Sequence, residues 1–186
     1  MNATGTTALH VAAQAGDAEL VGLLLRRGAV VSQTNNAGRT PLHDAVTAGK
    51  YQTVAFLLRR GSNTRATDND GQTALHIAVQ RNGKPSFPLL DMLFDYGASI
   101  AQQGNNDRTA LHYAAAKRLQ HVDTVRVLIQ RHSKQKGKLL QLIGPSAKKV
   151  INMRDSDGRT ALYEAKRAGN MDIYKLLVDA GGDPFI

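Results

Sequence analysis

The sequence predicts an all-α fold of stacked helix pairs, because one short pattern recurs along its 186 residues. The pattern is a threonine, a leucine two positions later and a histidine or tyrosine directly after the leucine, as in "TALH". It occurs five times, with the threonines 33, 33, 36 and 51 residues apart. Such self-similarity is typical of repeat proteins, in which each repeat buries its apolar face by packing on its neighbours. The five threonines are Thr7, Thr40, Thr73, Thr109 and Thr160.

The residues around each threonine predict the start of a first helix. In the second repeat, Thr40 suits the N-cap, where its hydroxyl accepts a hydrogen bond from a free backbone N–H. Pro41 suits the first helical position, where a missing N–H costs no hydrogen bond. Leu42, Ala45 and Val46 then have the i, i+3 and i+4 spacing of a single apolar helix face.

A second helix is predicted to follow in each repeat and to end at a glycine. In the second repeat, Gly49 ends the first helix, and Val54, Leu57 and Leu58 form the apolar face of the next one. Gly61 then ends that helix in a left-handed cap. Equivalent apolar residues are Leu9, Ala12, Ala13, Leu20, Leu23 and Leu24 in the first repeat, Leu75, Ala78, Val79, Leu90, Leu93 and Phe94 in the third, and Leu111, Ala114, Ala115, Val125, Leu128 and Ile129 in the fourth.

The period of 33 residues and the T-x-L-H-x-A motif at the start of a helix pair make the chain resemble the ankyrin repeat family, with insertions in the third and fourth repeats. The resemblance implies one solenoid domain over residues 1–186, with extended finger turns between the helix pairs. The expected repeats are approximately 2–34, 35–67, 68–103, 104–154 and 155–186. It also implies that the motif histidine ties the turn to the helix start and to the adjacent repeat. The expected structural residues are the five threonines with His10, His43, His76 and His112.

Catalytic and metal-binding patterns are not found in the sequence. It has no cysteine, which excludes a thiolate metal site. With one motif histidine in each repeat, neighbouring ones stand about 8–10 Å apart, whereas a metal needs its nitrogen ligands at about 2.0–2.1 Å. "DNDGQT" and "DSDGRT" resemble the start of a calcium loop, but Val79 and Lys166 stand where its glutamate is expected. We therefore expect no enzyme and no cofactor.

The positions not needed for folding predict a protein-binding surface. Ankyrin family members generally bind other proteins on a concave face lined by finger tips and inner helices. The residue before the motif threonine is an arginine in three repeats, which predicts a basic ladder on that face, and the residue after the histidine adds further contacts. The expected contact residues are Arg39, Asp44, Arg65, Ile77, Arg108, Tyr113, Arg154 and Arg159.

A basic insertion at residues 133–149 separates the fourth repeat from the fifth. Residues 131–150 contribute +6 to the net charge of +9, so the rest of the chain carries only +3. Leu139, Leu140, Leu142 and Ile143 predict a short amphipathic turn or strand, and the flanks "SKQKGK" and "PSAKK" look flexible. The candidate contact residues are Lys134, Lys136, Lys138, Lys148 and Lys149.

Three interpretations of this insertion stay open: a solvated loop, an extended finger that meets an acidic patch of a protein partner, and a contact with nucleic acid or anionic lipid. The segment has no aromatic residue on which a base can stack, which weakens the last interpretation.

These observations predict a non-catalytic module for protein–protein interaction, serving as a scaffold, an adaptor or an inhibitor subunit. The alternative function is electrostatic binding of nucleic acid or anionic lipid through the insertion. No apolar run approaches the roughly 20 residues of a membrane helix. We expect a monomer in the cytoplasm, the nucleus or both. Whether the chain is a slice of a longer repeat array stays open.

Overall fold

The computed structural model describes residues 2–81, 87–117, 122–134 and 145–185. Within these ranges the chain forms eleven helices and no strand, which confirms the predicted all-α class. The helices are α1 (Ala8–Ala15), α2 (Ala18–Arg26), α3 (Pro41–Ala48), α4 (Tyr51–Arg59), α5 (Ala74–Gln80), α6 (Phe87–Asp95), α7 (Ala110–Ala116), α8 (Val122–Lys134), α9 (Pro145–Ile151), α10 (Ala161–Arg167) and α11 (Met171–Asp179).

The chain divides into two compact units. The N-terminal unit holds the residues up to Arg81 together with Pro88–Ala98, and the C-terminal unit holds the residues from Ser99 onwards. In the N-terminal unit the inner helices α1, α3 and α5 pack side by side. The outer helix α2 packs on α1, the outer helix α4 packs on α3, and α2 and α4 also pack on each other. In the C-terminal unit α7 packs on α10, and the outer helices α8 and α11 cover them. The prediction of a single domain with the repeat boundaries given above stays a prediction.

Each inner helix begins directly after its motif threonine. In all five repeats this threonine is the N-cap, with an extended backbone of φ near −90° and ψ near 165°. The motif leucine two residues later is buried in every repeat, and it anchors the inner helix in the core. The buried leucines are Leu9, Leu42, Leu75, Leu111 and Leu162.

The first outer helix buries a different face from the predicted one. Leu20 and Leu23 were expected in the core, but they are 40% and 41% exposed, and Val21 is fully buried instead. Val21 lies 33 residues before the buried Val54, so the repeat period identifies the core position correctly where the local apolar run does not. The expectation for Leu20 and Leu23 is therefore wrong.

The finger turns bring a left-handed residue to the same place in every repeat. Four of these residues are glycines, and the fourth repeat has Asp107 with φ of 54°, an unusual value for a residue with a side chain. Neighbouring fingers within a unit are joined through their backbones. Examples are the bonds from Asn69 N to Ala37 O at 3.0 Å and from Ser156 N to Asn106 O at 3.0 Å.

The end of the basic insertion is helical. The flank "PSAKK" was expected to be flexible, but it belongs to α9, so this expectation is wrong. Pro145 starts this helix, and at its end Val150 and Ile151 are buried, with Ile151 only 2% exposed. Ile151 stands at the same distance from the next motif threonine as the buried Ile100, so both side chains fill equivalent core positions. The predicted turn or strand at residues 139–143 lies outside the described residues.

Candidate functional site

The motif histidine in the second repeat joins three groups. Its Nδ1 lies 3.0 Å from the backbone N and 2.9 Å from the hydroxyl of Thr40, and its Nε2 lies 3.1 Å from the carbonyl oxygen of Ala66. A carbonyl oxygen only accepts, so Nε2 of His43 carries the proton and Nδ1 accepts from Thr40. The ring therefore connects the helix start to the chain that leads into the next finger.

The other motif histidines repeat this geometry. Each places Nδ1 2.8 Å from the hydroxyl of its N-cap threonine, and the pairs are Thr7 with His10, Thr73 with His76, and Thr109 with His112. His10 and His112 reach the following repeat, where Nε2 donates to the carbonyl oxygens of Arg39 and Arg159 at 2.8 and 3.0 Å. The two nitrogens of these rings are therefore engaged within the fold.

Burial favours the neutral form of two of these histidines. It lowers the pKa of His43 below the ordinary value of 6.5; nearby Arg39 adds to this shift, and Asp68 opposes it. Burial also lowers the pKa of His112. Nearby Arg108 adds to this shift, whereas the Arg159 carbonyl, Asp155 and Glu164 oppose it. A proton on Nδ1 would remove the acceptor that holds the threonine, so the neutral form fits the observed bonds.

We define the finger–helix surface by three positions in each repeat: the residue before the motif threonine, the residue after the motif histidine or tyrosine, and the residue three positions further on. In the second repeat these are Arg39, Asp44 and Thr47. The Arg39 Nε lies 2.9 Å from Asp44 Oδ1, and its Nη2 donates to the His43 carbonyl at 3.1 Å and also contacts the Thr47 hydroxyl. Arg39 is thus neutralised and folded over its own inner helix.

The third repeat has a neutral version of this arrangement. The Gln80 side-chain amide donates to the Gln72 side-chain oxygen at 3.0 Å and to the His76 carbonyl at 3.1 Å. Ile77, three residues before Gln80 on the same helix, is only 9% exposed. The expectation that Ile77 is exposed is therefore wrong, while its role in partner binding stays a prediction. Val11, its counterpart in the first repeat, is the exposed apolar residue of this unit's surface.

In the C-terminal unit, Arg108 connects the fourth and fifth repeats. Its Nη2 lies 2.7 Å from Glu164 Oε1, its Nε lies 3.6 Å from Asp155 Oδ2, and its guanidinium carbon lies 5.0 Å from the centroid of the Tyr113 ring. Glu164 and Asp155 are only 3% and 7% exposed. Buried carboxylates need a cation close by, and Arg108 supplies it to both.

Two further arginines meet the same buried carboxylate. Arg159 Nη1 lies 3.7 Å from Glu164 Oε1, and Arg167 Nη1 lies 3.6 Å from Glu164 Oε2. Arg159 also pairs with Asp157. The arginines of the predicted basic ladder are therefore ion-paired within their own unit, and the finger–helix surface carries mixed charge.

The remaining candidate residues take no part in the ion pairs described above. Arg65 and Arg154 are exposed, and each donates to a backbone carbonyl, Gly97 O at 3.3 Å and Gly158 O at 3.4 Å respectively. Lys148 and Lys149 are exposed on α9. Lys136 and Lys138 lie outside the described residues, as does the side chain of Lys134.

Sequence reasoning missed two acidic residues that pair with the arginines of this surface. Glu164 and Asp155 were not among the candidates, although a spacing of five residues joins both Arg39 to Asp44 and Arg159 to Glu164. That shared spacing was the available signal, because it pairs the finger with the first turn of the helix in two repeats. Asp155 gave no such signal, since its contact with Arg108 depends on the packing of two repeats.

No group of three or more histidines and carboxylates in the described ranges is arranged to hold a metal ion. None of the helices in that part of the chain is long and apolar enough to cross a membrane.

Two family models match the chain. A model for three copies of the ankyrin repeat matches residues 1–68 and 48–138, and a model for a single ankyrin repeat matches residues 157–186. The chain belongs to the ankyrin repeat family. The predicted ankyrin-repeat solenoid is thereby confirmed, and the segment between the matched ranges, 139–156, includes much of the predicted insertion. A search of the curated proteins finds no match for this chain.

Ankyrin repeats are generally modules that bind other proteins, and ankyrin-repeat proteins are typically non-catalytic. The predicted general role in protein–protein interaction is confirmed at this level.

Proposed function

We propose that this ankyrin-repeat protein binds a protein partner through its finger–helix surface and acts there as a scaffold, an adaptor or an inhibitor subunit, without catalysis. We place it in the cytoplasm, the nucleus or both, because a chain without cysteine suits a reducing compartment. We also expect it to be a monomer.

The observation that carries this proposal is the position of Arg108 over Tyr113. Arginine and tyrosine are among the residue types enriched at the energetic centre of protein interfaces. Here the guanidinium lies 5.0 Å from the ring centroid, and it also contacts Glu164 and Asp155. A partner therefore meets side chains that are already ordered, which lowers the entropy lost on binding.

The mixed charge of the surface indicates what kind of partner fits. Arg167 is exposed, and the contact of its Nη1 with Glu164 uses only part of a guanidinium that carries five N–H donors. Carboxylates or carbonyl groups of a partner accept from the remaining donors, and an apolar side chain packs on the half-buried Tyr113 ring. We therefore expect a partner with both acidic and apolar side chains in its contact surface.

The proposal is tested by capturing the partner with this chain as bait and identifying it by mass spectrometry. Its dissociation constant is then measured against Tyr113→Ala and Arg108→Lys. We expect each variant to bind about tenfold more weakly or worse, which corresponds to about 1.4 kcal/mol. Arg108→Lys keeps the charge beside Glu164, so the unit stays folded, but it removes the planar group that lies over Tyr113.

Matched controls are Tyr51→Ala and Arg126→Lys, which change the same residue types at exposed positions of the outer helices. If these controls weaken binding as much as the finger–helix variants, the partner uses another face and the proposal is wrong.

The competing function, polyanion binding through the basic insertion, predicts a different dependence on salt. Binding to nucleic acid weakens steeply as salt rises, because each neutralised phosphate releases a counterion. A steep slope together with unchanged binding of Tyr113→Ala would favour the insertion over the finger–helix surface.

A further inference from the structure

Four arginines in the described part of the chain carry charge that no carboxylate there neutralises. They lie at the ends of the outer helices α2 and α4, are exposed, and form no ion pair within those ranges. They are Arg26, Arg27, Arg59 and Arg60. The finger arginines Arg39, Arg108 and Arg159 are all paired with carboxylates. The unpaired charge of these four residues therefore lies on the outer helices.

The fold brings the two arginine pairs close together. Arg26 and Arg27 precede the equivalent Arg59 and Arg60 by one period of 33 residues, and α2 packs on α4. Packed helices lie about 8–10 Å apart, so equivalent side chains are separated by a similar distance. The negative end of each helix dipole favours cations at this place, but it leaves their formal charge available to a ligand.

Apolar side chains lie beside these arginines. The guanidinium carbon of Arg60 lies 4.8 Å from the centroid of the Phe56 ring. Phe56 and Arg26 both approach Gly22, where an added Cβ would lie 3.2 Å from Phe56 Cζ and 3.5 Å from Arg26 Nη1. Leu23, one turn before Arg27, is exposed in the position that Phe56 holds before Arg60. Each arginine pair thus has an apolar neighbour. We call Leu23, Phe56 and the four arginines together the outer arginine patch.

We propose that the outer arginine patch is a second docking site, separate from the finger–helix surface, and that it binds an extended acidic segment of a protein. All four cations are arginines, whose planar fork matches a carboxylate with two parallel hydrogen bonds. A polyproline II segment repeats every three residues, or about 9.3 Å, which matches the separation of the two arginine pairs. Carboxylates at every third residue meet both pairs, and the residues between them lie over Leu23 and Phe56.

The same geometry argues against nucleic acid and lipid as the occupant. Single-stranded nucleic acid is bound by stacking bases on aromatic faces, and one face of Phe56 is occupied by Arg60. Recognition of an anionic membrane needs only clustered charge, which makes no use of the apolar residue one turn before each arginine pair.

The test uses a labelled peptide of about four Glu-Pro-Pro units, which holds the polyproline II spacing, and its fluorescence anisotropy with the full chain. We expect saturable binding that the matching Gln-Pro-Pro peptide lacks. Arg27→Glu combined with Arg60→Glu is expected to weaken binding at least tenfold. Arg27→Lys combined with Arg60→Lys keeps the charge. We expect this variant to weaken peptide binding less, but measurably, because lysine lacks the planar guanidinium fork.

The matched control combines Arg126→Glu with Lys175→Glu, which lowers the net charge by the same amount at exposed positions of the outer helices α8 and α11. Circular dichroism verifies that each variant is folded. The proposal is overturned if the peptide does not bind, if the control loses as much affinity as Arg27→Glu/Arg60→Glu, or if phosphatidylserine vesicles or single-stranded DNA bind the patch more tightly than the peptide. None of these changes touches the finger–helix surface, so this result is independent of the proposed function.

Discussion

The motif histidines explain at the scale of single residues why the T-x-L-H sequence recurs. One imidazole ring accepts at Nδ1 from the N-cap threonine and donates at Nε2 to a carbonyl further along the chain, as His43 does to Ala66. Threonine and histidine three positions apart meet because residues i and i+3 lie on the same side of a helix turn. The neutral ring is required, because a doubly protonated ring has no acceptor for the threonine.

The lowered pKa of His43 and His112 predicts that stability depends on pH. The folded-state pKa lies below the unfolded value of about 6.5, so the unfolded chain takes up a proton first as the pH falls. The contribution to the free energy of unfolding is complete above about pH 6.5 and is lost as the pH falls below it. Urea unfolding of the wild type at pH 7, 6 and 5 is expected to show this decrease.

His43→Gln provides the comparison, because an amide offers an acceptor and a donor but does not titrate in this range. We expect this variant to lose less stability than the wild type between pH 7 and pH 5. Equal losses would mean that His43 does not cause the dependence.

At the scale of whole elements, α9 shows how the chain anchors an insertion. The helix has seven residues, too few to be stable alone, so its tertiary contacts hold it. Ile151 and Val150 are buried, and directly after the helix the Asn152 side chain donates to the Gly181 carbonyl at 3.1 Å and accepts from the Asp183 backbone N at 2.8 Å. This end of the insertion is therefore part of the fifth repeat's packing.

Ile151→Ala is expected to lower the free energy of unfolding by about 2–5 kcal/mol, the usual cost of removing a buried isoleucine side chain. Lys149→Ala in the same helix is the control, and we expect a change within about 0.5 kcal/mol because Lys149 is exposed. Both are measured by urea denaturation. Similar small effects for the two variants would show that α9 does not contribute to stability.

Whether an element could be predicted from the sequence depends on whether its deciding contacts lie within one turn of helix or between neighbouring repeats. The inner helices and their caps were predicted because the threonine, leucine and histidine act within one turn of helix. Leu20 and Leu23 were misassigned because an unbroken apolar run does not say which side faces the neighbouring repeat. α9 was missed because its apolar content is limited to two residues at its end, and only their burial against the last repeat identifies it.

At the scale of the whole molecule, the net charge of +9 is unevenly distributed. Carboxylates of the same unit pair with the finger arginines, while the outer arginine patch and the exposed lysines of α9 are not part of those pairs. The family matches lie on both sides of residues 139–156. The predicted basic insertion stays a candidate contact.

Deletion of residues 134–148 tests whether the insertion is dispensable. It removes four lysines, which lowers the net charge from +9 to +5, and it restores the spacing of 36 residues between Thr109 and Thr160 that the preceding repeat has. A shorter connection costs less entropy to close, so we expect a folded chain with cooperative thermal unfolding in circular dichroism. Aggregation or loss of cooperative unfolding would show that the insertion is structurally required.

The sequence by itself determined the fold class, the family and the position of every inner helix. These depend on short-range relations, from N-cap to first turn and from apolar residue to apolar residue, and five repetitions make the relations unambiguous. Only the tertiary structure decided which charges are free. The pairing of Arg108 with Glu164 and Asp155, like the lack of such pairing at Arg27 and Arg60, depends on which side chains the packing of neighbouring repeats brings within a few ångströms. Coulomb interactions act through that distance and through burial, and neither can be read from the order of residues alone.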